Sequence, residues 1–338
     1  LFACKETSQN TTKLPEMDSE DHAQLVMDTK SAILSLDIAL VDKLSADIDV
    51  NRLLPDNSTL LAWAAETQDP RLVSLMLERG AKTDVAGSNR FSPIIQACRY
   101  GNSEIINALL DSGADPNSAI EDGTNAFHLC SGSASTADLA RMVSLGADVT
   151  AKNEYGQTAM MWAANAGNVK NILYLVENGS DINDQTNEGY SPLFFAIKSQ
   201  HLDTVKALIS NGADLFAKAQ DGTTAAQLGV YTKNYEFLMW FVSELNTLMA
   251  PEAVEDVLTT FDRDGYQLLH AAVKANELEL VTTLLKVGAD PTTVSEPSTL
   301  KWRFEANFKT ETYVPPQLTP IELAEQNEFT TIAAMLSQ

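Results

Sequence analysis

The stretch SPIIQAC at residues 92–98 decides the fold, because the chain repeats its pattern at a fixed interval. Six such runs have first residues 33 apart: TLLAWAA (59–65), SPIIQAC (92–98), NAFHLCS (125–131), TAMMWAA (158–164), SPLFFAI (191–197) and TAAQLGV (224–230). Two more, QLLHAAV (267–273) and TPIELAE (319–325), follow after 43 and 52 residues. A period of this length is typical of repeat proteins, whose units bury their apolar faces by stacking.

The residue columns of the repeat predict two helices for each unit. Thr, Ser or Asn at the start of a run suits a helix N-cap, because its side-chain oxygen accepts a free backbone N–H. Proline follows directly at Pro93, Pro192 and Pro320, and the first helical position favours proline. A glycine that ends the second, amphipathic helix lies 21 residues after the start of six runs: Gly80, Gly113, Gly146, Gly179, Gly212 and Gly288. A polar turn or finger then leads to the next run.

A 33-residue unit of a turn and two helices, with a run like T-P-L-H-x-A, resembles the ankyrin repeat. The resemblance covers roughly residues 32–338 in eight copies, and ALVDKLSADIDVN from Ala39 is similar to the second half of a repeat. It implies an all-α solenoid of ankyrin repeats with an N-terminal half-repeat cap. We expect one such domain over residues 22–338, preceded by a flexible tether in residues 1–21.

Two insertions interrupt the period. Ten extra residues near 243–261 predict a lengthened second helix, a break near Pro251 and another short helix. Nineteen extra residues fall in 292–316, where aromatic side chains alternate with basic ones: Trp302, Phe304, Phe308 and Tyr313 with Lys301, Arg303 and Lys309. This alternation predicts an extended β-finger. Since Trp, Tyr and Arg anchor protein interfaces, the finger either binds a partner or covers the last repeats as a lid.

The charge of the chain limits the class of partner. Its 46 acidic and 23 basic residues give a net charge of −23. An anionic surface repels nucleic acid and anionic lipid, whose binding depends on Lys and Arg. The same field attracts a basic protein, although solubility alone also accounts for an acidic composition. We expect a protein partner with a basic patch and no nucleic-acid partner.

The sequence offers no catalytic constellation. His128 and His270 occupy the histidine position of the family run, where a structural hydrogen bond is expected. Cys98 and Cys130 lie on short inward helices, which predicts buried thiols rather than a disulfide. The chain has no phosphate loop, metal-ligand spacing or nucleophile motif. We therefore predict a protein that is not an enzyme and that uses no cofactor and no metal.

A binding surface is what the resemblance implies instead, because ankyrin partners usually dock on the fingers and the inner helices. The register places these residues at such positions, together with Trp302, Arg303, Phe304, Phe308 and Tyr313 of the long finger: Arg90, Phe91, Arg99, Tyr100, Glu154, Tyr155, Asn187, Glu188, Tyr190, Asp264 and Tyr266. Aromatic residues recur just before the caps, at Phe91, Tyr190 and Tyr266. They form either an exposed row or packing contacts between fingers. Trp63 and Trp162 share one column and are interpreted as packing residues.

The first four residues, LFAC, resemble the end of a bacterial lipoprotein signal. The resemblance implies cleavage before Cys4, which would then carry the lipid anchor. The polar segment KETSQNTTKLPEMDSED has the composition of a tether between a lipid and a folded domain. Lys5 after the cysteine favours the outer membrane by the same resemblance, so we expect a periplasmic location, with the membrane reached only through the anchor.

These features lead to one main functional hypothesis and three others. The main one is an interaction protein of the envelope, most concretely an immunity protein that binds and inhibits an antibacterial toxin such as a secreted phospholipase. A periplasmic scaffold that supports a resident enzyme is the second, and an enzyme with its site in the insertions is the third. If Cys4 carries no lipid, a cytosolic or host-directed adaptor becomes the alternative. Apart from its partner, the protein is expected to be a monomer.

Overall fold

The computed structural model describes residues 19–298, 303–306, 309–312 and 316–337. The described chain divides into two compact units. The first runs to Glu121 and includes Ala140–Ala147, and the second comprises Asp122–Leu139 and the residues from Asp148 onward. Cys4 and most of the predicted tether lie outside the described residues, as do Trp302, Phe308 and Tyr313.

The first unit is helical. Its helices are α1 (Ser19–Leu34), α2 (Ile38–Ser45), α3 (Leu60–Glu66), α4 (Pro70–Glu78), α5 (Pro93–Tyr100) and α6 (Ser103–Asp111). Helix α1 begins three residues before the expected start of the domain at residue 22. The first helices of successive repeats, α3 and α5, contact each other, and so do the second helices, α4 and α6.

The second unit continues the same pattern. Its helices are α7 (Ala126–Ser133), α9 (Ala159–Asn165), α10 (Val169–Glu177), α11 (Pro192–Lys198), α12 (Leu202–Ser210), α13 (Ala225–Tyr231), α14 (Tyr235–Leu248), α15 (Pro251–Thr259), α16 (Leu268–Lys274), α17 (Leu278–Lys286), α18 (Pro320–Gln326) and α19 (Thr330–Leu336). Helix α8 (Thr136–Ser144) begins in this unit and ends in the first. Every predicted run starts a helix one residue after its cap, so the all-α repeat architecture is confirmed.

The cap columns behave as predicted at most repeats. The side-chain oxygens of Thr59, Ser92, Asn125, Thr224 and Thr319 each accept a backbone N–H of the helix that follows. At Thr158 and Ser191 the prediction of a side-chain cap is wrong, because neither hydroxyl makes this bond. The glycines that end the second helices all have positive φ, from 85° at Gly80 to 102° at Gly288, which confirms their role.

Both insertions take the predicted secondary structure. Helix α14 is 14 residues long, whereas the second helices of the preceding regular repeats are nine residues long, and Pro251 separates it from the extra helix α15. In the second insertion, strand β1 (Arg303–Ala306) pairs antiparallel with β2 (Lys309–Thr312), and Phe304 lies opposite Glu311. This hairpin confirms the extended β-finger, whose partner-binding role stays a prediction.

Consecutive fingers of the second unit are joined by main-chain hydrogen bonds, which we call the fingertip ladder. The N–H of Glu154 donates to the carbonyl of Asp122 at 2.8 Å, and that of Asn187 donates to Tyr155 at 2.9 Å. The N–H of Gln220 donates to Glu188 at 2.7 Å. One such bond per pair of repeats holds the tips at a fixed spacing.

Cys98 and Cys130 are both disulfide-bonded, so the prediction of buried free thiols is wrong. Both residues have no exposed surface, as that prediction assumed. The sequence columns could not reveal disulfide bonding, because they carry no distances between sulfur atoms.

His128 has the structural role that the sequence predicts. The ring Nδ1 of His128 accepts the backbone N–H of Asn125 at 3.0 Å, and the backbone N–H of His128 donates to Asn125 Oδ1 at 2.8 Å. Because Nδ1 is an acceptor, the ring proton is on Nε2, which donates to the carbonyl of Ala151 at 2.9 Å. His270 makes the corresponding Nε2 bond to Leu318 at 3.1 Å. Both rings hold the next finger against the start of their helix.

Stability is expected to fall as the pH drops below 6.5, in part through His128. Burial lowers the pKa of His128, so the folded protein keeps the ring neutral while the unfolded chain takes up a proton. The contribution of the neutral His128 ring to the free energy of unfolding is fully present above the unfolded pKa of about 6.5. Below that pH it decreases, by up to about 1.4 kcal/mol per pH unit. Urea unfolding at pH 7.5 and pH 5.5 measures the change.

The matched variant for this test is His128→Gln. Gln227 already fills the same cap position at α13, where its Oε1 accepts the N–H of Thr224 at 3.0 Å and its Nε2 donates to Phe261. The variant should therefore fold, and its stability should change less between the two pH values than that of the wild type. An identical pH dependence in both proteins would contradict a neutral, buried His128.

Candidate protein-binding surface

Two neighbouring inner helices of the second unit, α9 and α11, form a recess of about 200 Å³. Trp162 and Phe195 line it from the same column of successive repeats, since each is the fifth residue of its run. Both side chains are half-buried. Met161 adds an apolar wall, and Gln157 and Asn165 add amide groups. An aromatic and apolar recess with a few polar groups has the composition of an interface core.

The indole nitrogen of Trp162 distinguishes this recess. Its Nε1 is buried and has no hydrogen-bond partner among the described residues. A buried N–H without a partner costs about 1–3 kcal/mol, so native structures rarely keep one. An acceptor atom supplied from outside the chain would remove that cost.

Trp63, which occupies the same column in the first unit, has a hydrogen-bonded indole nitrogen. Its Nε1 donates to Ser58 Oγ at 2.7 Å. The Lys30 ammonium lies 3.9 Å from the centre of its ring, and the ring of Phe91 lies at 4.8 Å. Both tryptophans were interpreted as packing residues from the sequence. The structure gives Trp63 polar and aromatic partners but leaves Trp162 with an unpaired donor, a difference that depends on neighbouring residues rather than on the shared column.

The fingers that precede these helices present polar and aromatic side chains. Tyr155 is 53% exposed, and its sequence neighbour Glu154 is exposed as well. On the next finger, Asn187 and Glu188 are exposed. Asn187 Nδ2 donates to the carbonyl of Glu154 at 2.7 Å, which adds a side-chain bond to the fingertip ladder. The predicted residues of these two fingers are therefore brought together by neighbouring repeats.

The aromatic residues just before the caps are half-buried, each against another ring. Phe91 contacts Trp63 at 4.8 Å, and Tyr190 contacts Phe194 at 5.8 Å. Tyr266 stacks on His270 at 5.8 Å. Of the two alternatives, packing on neighbouring side chains thus describes these rings better than an exposed row.

Several predicted residues of the first unit are already engaged within the chain. Arg90 Nη1 donates to the carbonyl of Ile120 at 2.8 Å. Tyr100 is 51% exposed, and its hydroxyl donates to Glu66 Oε1 at 2.9 Å, a bond that raises the pKa of Tyr100. Arg99 is exposed on the same helix. A partner that uses this region would have to compete with the bonds of Arg90 and Tyr100.

The comparison with protein families decides the class of the chain. The model "Ankyrin repeats (3 copies)" matches residues 31–120 and 127–219, and the model "Ankyrin repeat" matches residues 264–296. The chain belongs to the ankyrin-repeat family. Ankyrin repeats form protein–protein interaction modules that are generally non-catalytic, so this ankyrin-repeat protein is a module for binding another protein.

Relatives with curated descriptions match this ankyrin-repeat protein over part of its length. Palmitoyltransferase ZDHHC13 of Homo sapiens is 30% identical over 126 residues, which is 37% of this chain and 20% of that protein. Zygote-specific protein 3 of Chlamydomonas reinhardtii is 35% identical over 121 residues, covering 35% of this chain and 31% of that protein. The chain thus spans less than a third of either protein.

The described residues of this ankyrin-repeat protein contain neither a cluster of metal-ligating side chains nor a membrane-spanning helix. In the described parts of the chain, no three His, Cys, Asp or Glu side chains lie together as a metal site would require. No described helix combines the length and hydropathy of a membrane span. Among the predicted finger residues, Arg303 and Phe304 lie in β1, and Asp264 is half-buried next to Tyr266.

Proposed function

We propose that this ankyrin-repeat protein binds and blocks another protein in an oxidising compartment. In its most concrete form, it is a lipid-anchored periplasmic immunity protein against an envelope-targeting toxin, such as a phospholipase delivered by type VI secretion. The blocked partner docks on the surface formed by α9, α11 and the two fingers that carry Tyr155 and Asn187. Cys4 carries the anchor in this proposal.

The unpaired indole N–H of Trp162 is the observation that carries the docking part of the proposal. It lies beside a recess between two repeats, where Phe195 supplies an aromatic wall. Tryptophan is among the residues that most often dominate binding energy, and it does so in recesses that exclude water. A carbonyl or carboxylate of the partner would complete the hydrogen bond.

The cysteines support the proposed compartment. Cys98 and Cys130 are disulfide-bonded, and disulfides persist in secreted and periplasmic proteins while cytosolic reductants keep thiols reduced. The LFAC motif points independently to the periplasm. Both observations weigh against the cytosolic or host-directed adaptor.

The net charge supports the nature of the partner. A charge of −23 steers basic proteins to the surface and raises their association rate at low salt. A toxin that acts on anionic phospholipid needs a basic surface to reach its substrate. An acidic inhibitor is matched to such an enzyme.

Substitution of Trp162 by Phe is expected to weaken partner binding about tenfold, since it removes the N–H and keeps most of the ring. The test begins with a pull-down from an envelope extract of the native organism, with residues 5–338 as bait. The retained protein is identified by mass spectrometry, and its dissociation constant is then measured with purified components. Stoichiometric inhibition of its hydrolytic activity would support the immunity function.

The matched control is Trp240→Phe, which changes a half-buried tryptophan on helix α14, outside the recess. It should bind the partner as the wild type does. A second bait with Trp302, Arg303 and Phe304 replaced by Ala tests the long finger. Equal binding by the Trp162 and Trp240 variants would overturn the recess as the docking site, and retention of a fully active resident enzyme would favour the scaffold instead.

A further inference from the structure

The first insertion creates a cleft of about 490 Å³ in the second unit, which we call the insertion cleft. It lies among helices α13, α14, α15 and α16 and the finger that precedes α13. The extra helix α15 supplies one wall through Ala253, Asp256 and Val257. A repeat of regular length has no element at this place, so the cleft is a product of the insertion.

Apolar side chains form part of the walls of the insertion cleft. Phe241 and Met249 of the lengthened helix segment are buried, and Leu268 is buried on α16. Phe216, at the finger, is 57% exposed and therefore presents an open aromatic face. The volume of the cleft falls within the range of about 300–1,000 Å³ that is typical of ligand-binding pockets.

Two carboxylates line the same cleft. Asp262 is half-buried, and its Oδ1 accepts the N–H groups of Asp264 and Tyr266, both at 2.9 Å. Asp256 is exposed on α15. Neither forms an ion pair with a described residue. Burial raises the pKa of Asp262 against the opposing effect of the Lys274 charge, so the carboxylate is only partly compensated where it lies.

The charges around the insertion cleft are predominantly negative. Helix α15 carries Glu252, Glu255 and Asp256 and no basic residue. Of the nearby basic groups, Lys218 lines the cleft and is exposed, and Lys274 lies 4.8 Å from the ring of Tyr266. Arg263 is held over the ring of Tyr231 at 4.0 Å. The cleft is thus complementary to a cation.

We infer that the insertion cleft receives a basic segment of the protein partner, an arginine or lysine next to an apolar side chain. The aliphatic stem and the apolar neighbour contact Phe241, Met249 and Leu268. The cationic end pairs with Asp256 and Asp262 and stacks on the exposed ring of Phe216. This inference rests on the proposed function in that the occupant belongs to a protein partner, but it places a second contact outside the Trp162 recess.

A short fluorescein-labelled peptide of alternating leucine and arginine tests this inference by fluorescence anisotropy. The same peptide with citrulline in place of arginine keeps the shape and removes the charge. We expect the arginine peptide to bind at least about tenfold more tightly than the citrulline peptide, with affinity that falls as salt is added. Equal binding of the two peptides, or no binding of either, would overturn the inference.

Charge-matched variants locate the site. Asp256→Asn with Asp262→Asn should weaken peptide binding about tenfold, because it removes both carboxylates of the cleft. The amide oxygen introduced by Asp262→Asn can still accept the two N–H groups, so the turn is kept. Glu252→Gln with Glu255→Gln removes the same charge from the same region but outside the cleft, and it should change binding less than about twofold. Similar losses of peptide affinity in both double variants would mean that the overall negative charge of the protein, and not the cleft, attracts the peptide. That result would overturn the inference.

Two further measurements separate the possible failures. Ala253→Trp should fill the cleft and abolish peptide binding, while circular dichroism checks that the variant is folded. Hexylguanidinium offers the same chemistry as a small molecule, and its binding in the absence of peptide binding would overturn a protein segment as the occupant. If the native partner is weakened by Trp162→Phe but not by the cleft variants, this inference fails and the proposed function stands.

Discussion

Dithiothreitol is expected to lower the free energy of unfolding by about 2–4 kcal/mol, because a disulfide restricts the conformations of the unfolded chain. Cys98 and Cys130 are the cysteines that it would release, and both are fully buried. Urea unfolding followed by circular dichroism, with and without the reductant, measures the effect. Superimposable curves would show that the bond is absent from the protein in solution.

The matched control replaces Cys98 and Cys130 by Ser. Its unfolding curve should lie close to that of the reduced wild type and should not respond to dithiothreitol. Cys4→Ser should leave the wild-type curve unchanged, since it leaves both buried cysteines in place. Protein made in an oxidising compartment should have no titratable thiol at residues 98 and 130 after denaturation, and protein made in the cytosol should have both. That difference links the stability measurement to the proposed location.

Gly265→Ala is expected to cost about 2–4 kcal/mol in the free energy of unfolding. Gly265 has a φ of 79°, and its carbonyl accepts the N–H of Glu296 at 2.8 Å. A Cβ atom at this position would overlap the carbonyl oxygen of Glu296, so the backbone itself would have to move. Thermal or urea unfolding gives the magnitude.

Gly288→Ala is the control for the backbone conformation alone. Gly288 has a φ of 102°, but a Cβ atom there would have no neighbour within 4 Å. Its cost should be limited to the left-handed strain, about 1 kcal/mol. Equal losses at residues 265 and 288 would mean that the contact with Glu296 does not constrain the finger.

The repeat columns predicted the helices because each column has a local cause. Thr59 and Asn125 cap the helices that follow them, and Pro251 separates α14 from α15 as its ring requires. The family run predicted a structural hydrogen bond for His128, and in the structure its Nε2 bonds to the carbonyl of Ala151. All of these depend on residues close in sequence or on neighbouring units in register.

The features that the columns missed depend on which atoms meet in space. Trp63 and Trp162 occupy one column, but only Trp63 has Ser58 within hydrogen-bond distance of its indole nitrogen. The insertion cleft needs the packing of four helices, and Phe216 gave no signal of its own in the sequence. The inward position of the two cysteines predicted buried thiols, and this prediction was wrong because burial does not show whether a sulfur atom meets another one.

The fingertip ladder has a consequence for how this surface can evolve. Its bonds between repeats use the main-chain atoms of Asp122 with Glu154, Tyr155 with Asn187, and Glu188 with Gln220. Almost any residue supplies those atoms, so mutation at a tip leaves the spacing of the tips intact. The side chains of Glu154, Tyr155 and Glu188 are therefore expected to vary with little loss of stability, so the chemistry of the exposed fingertips can change while the repeats stay in register.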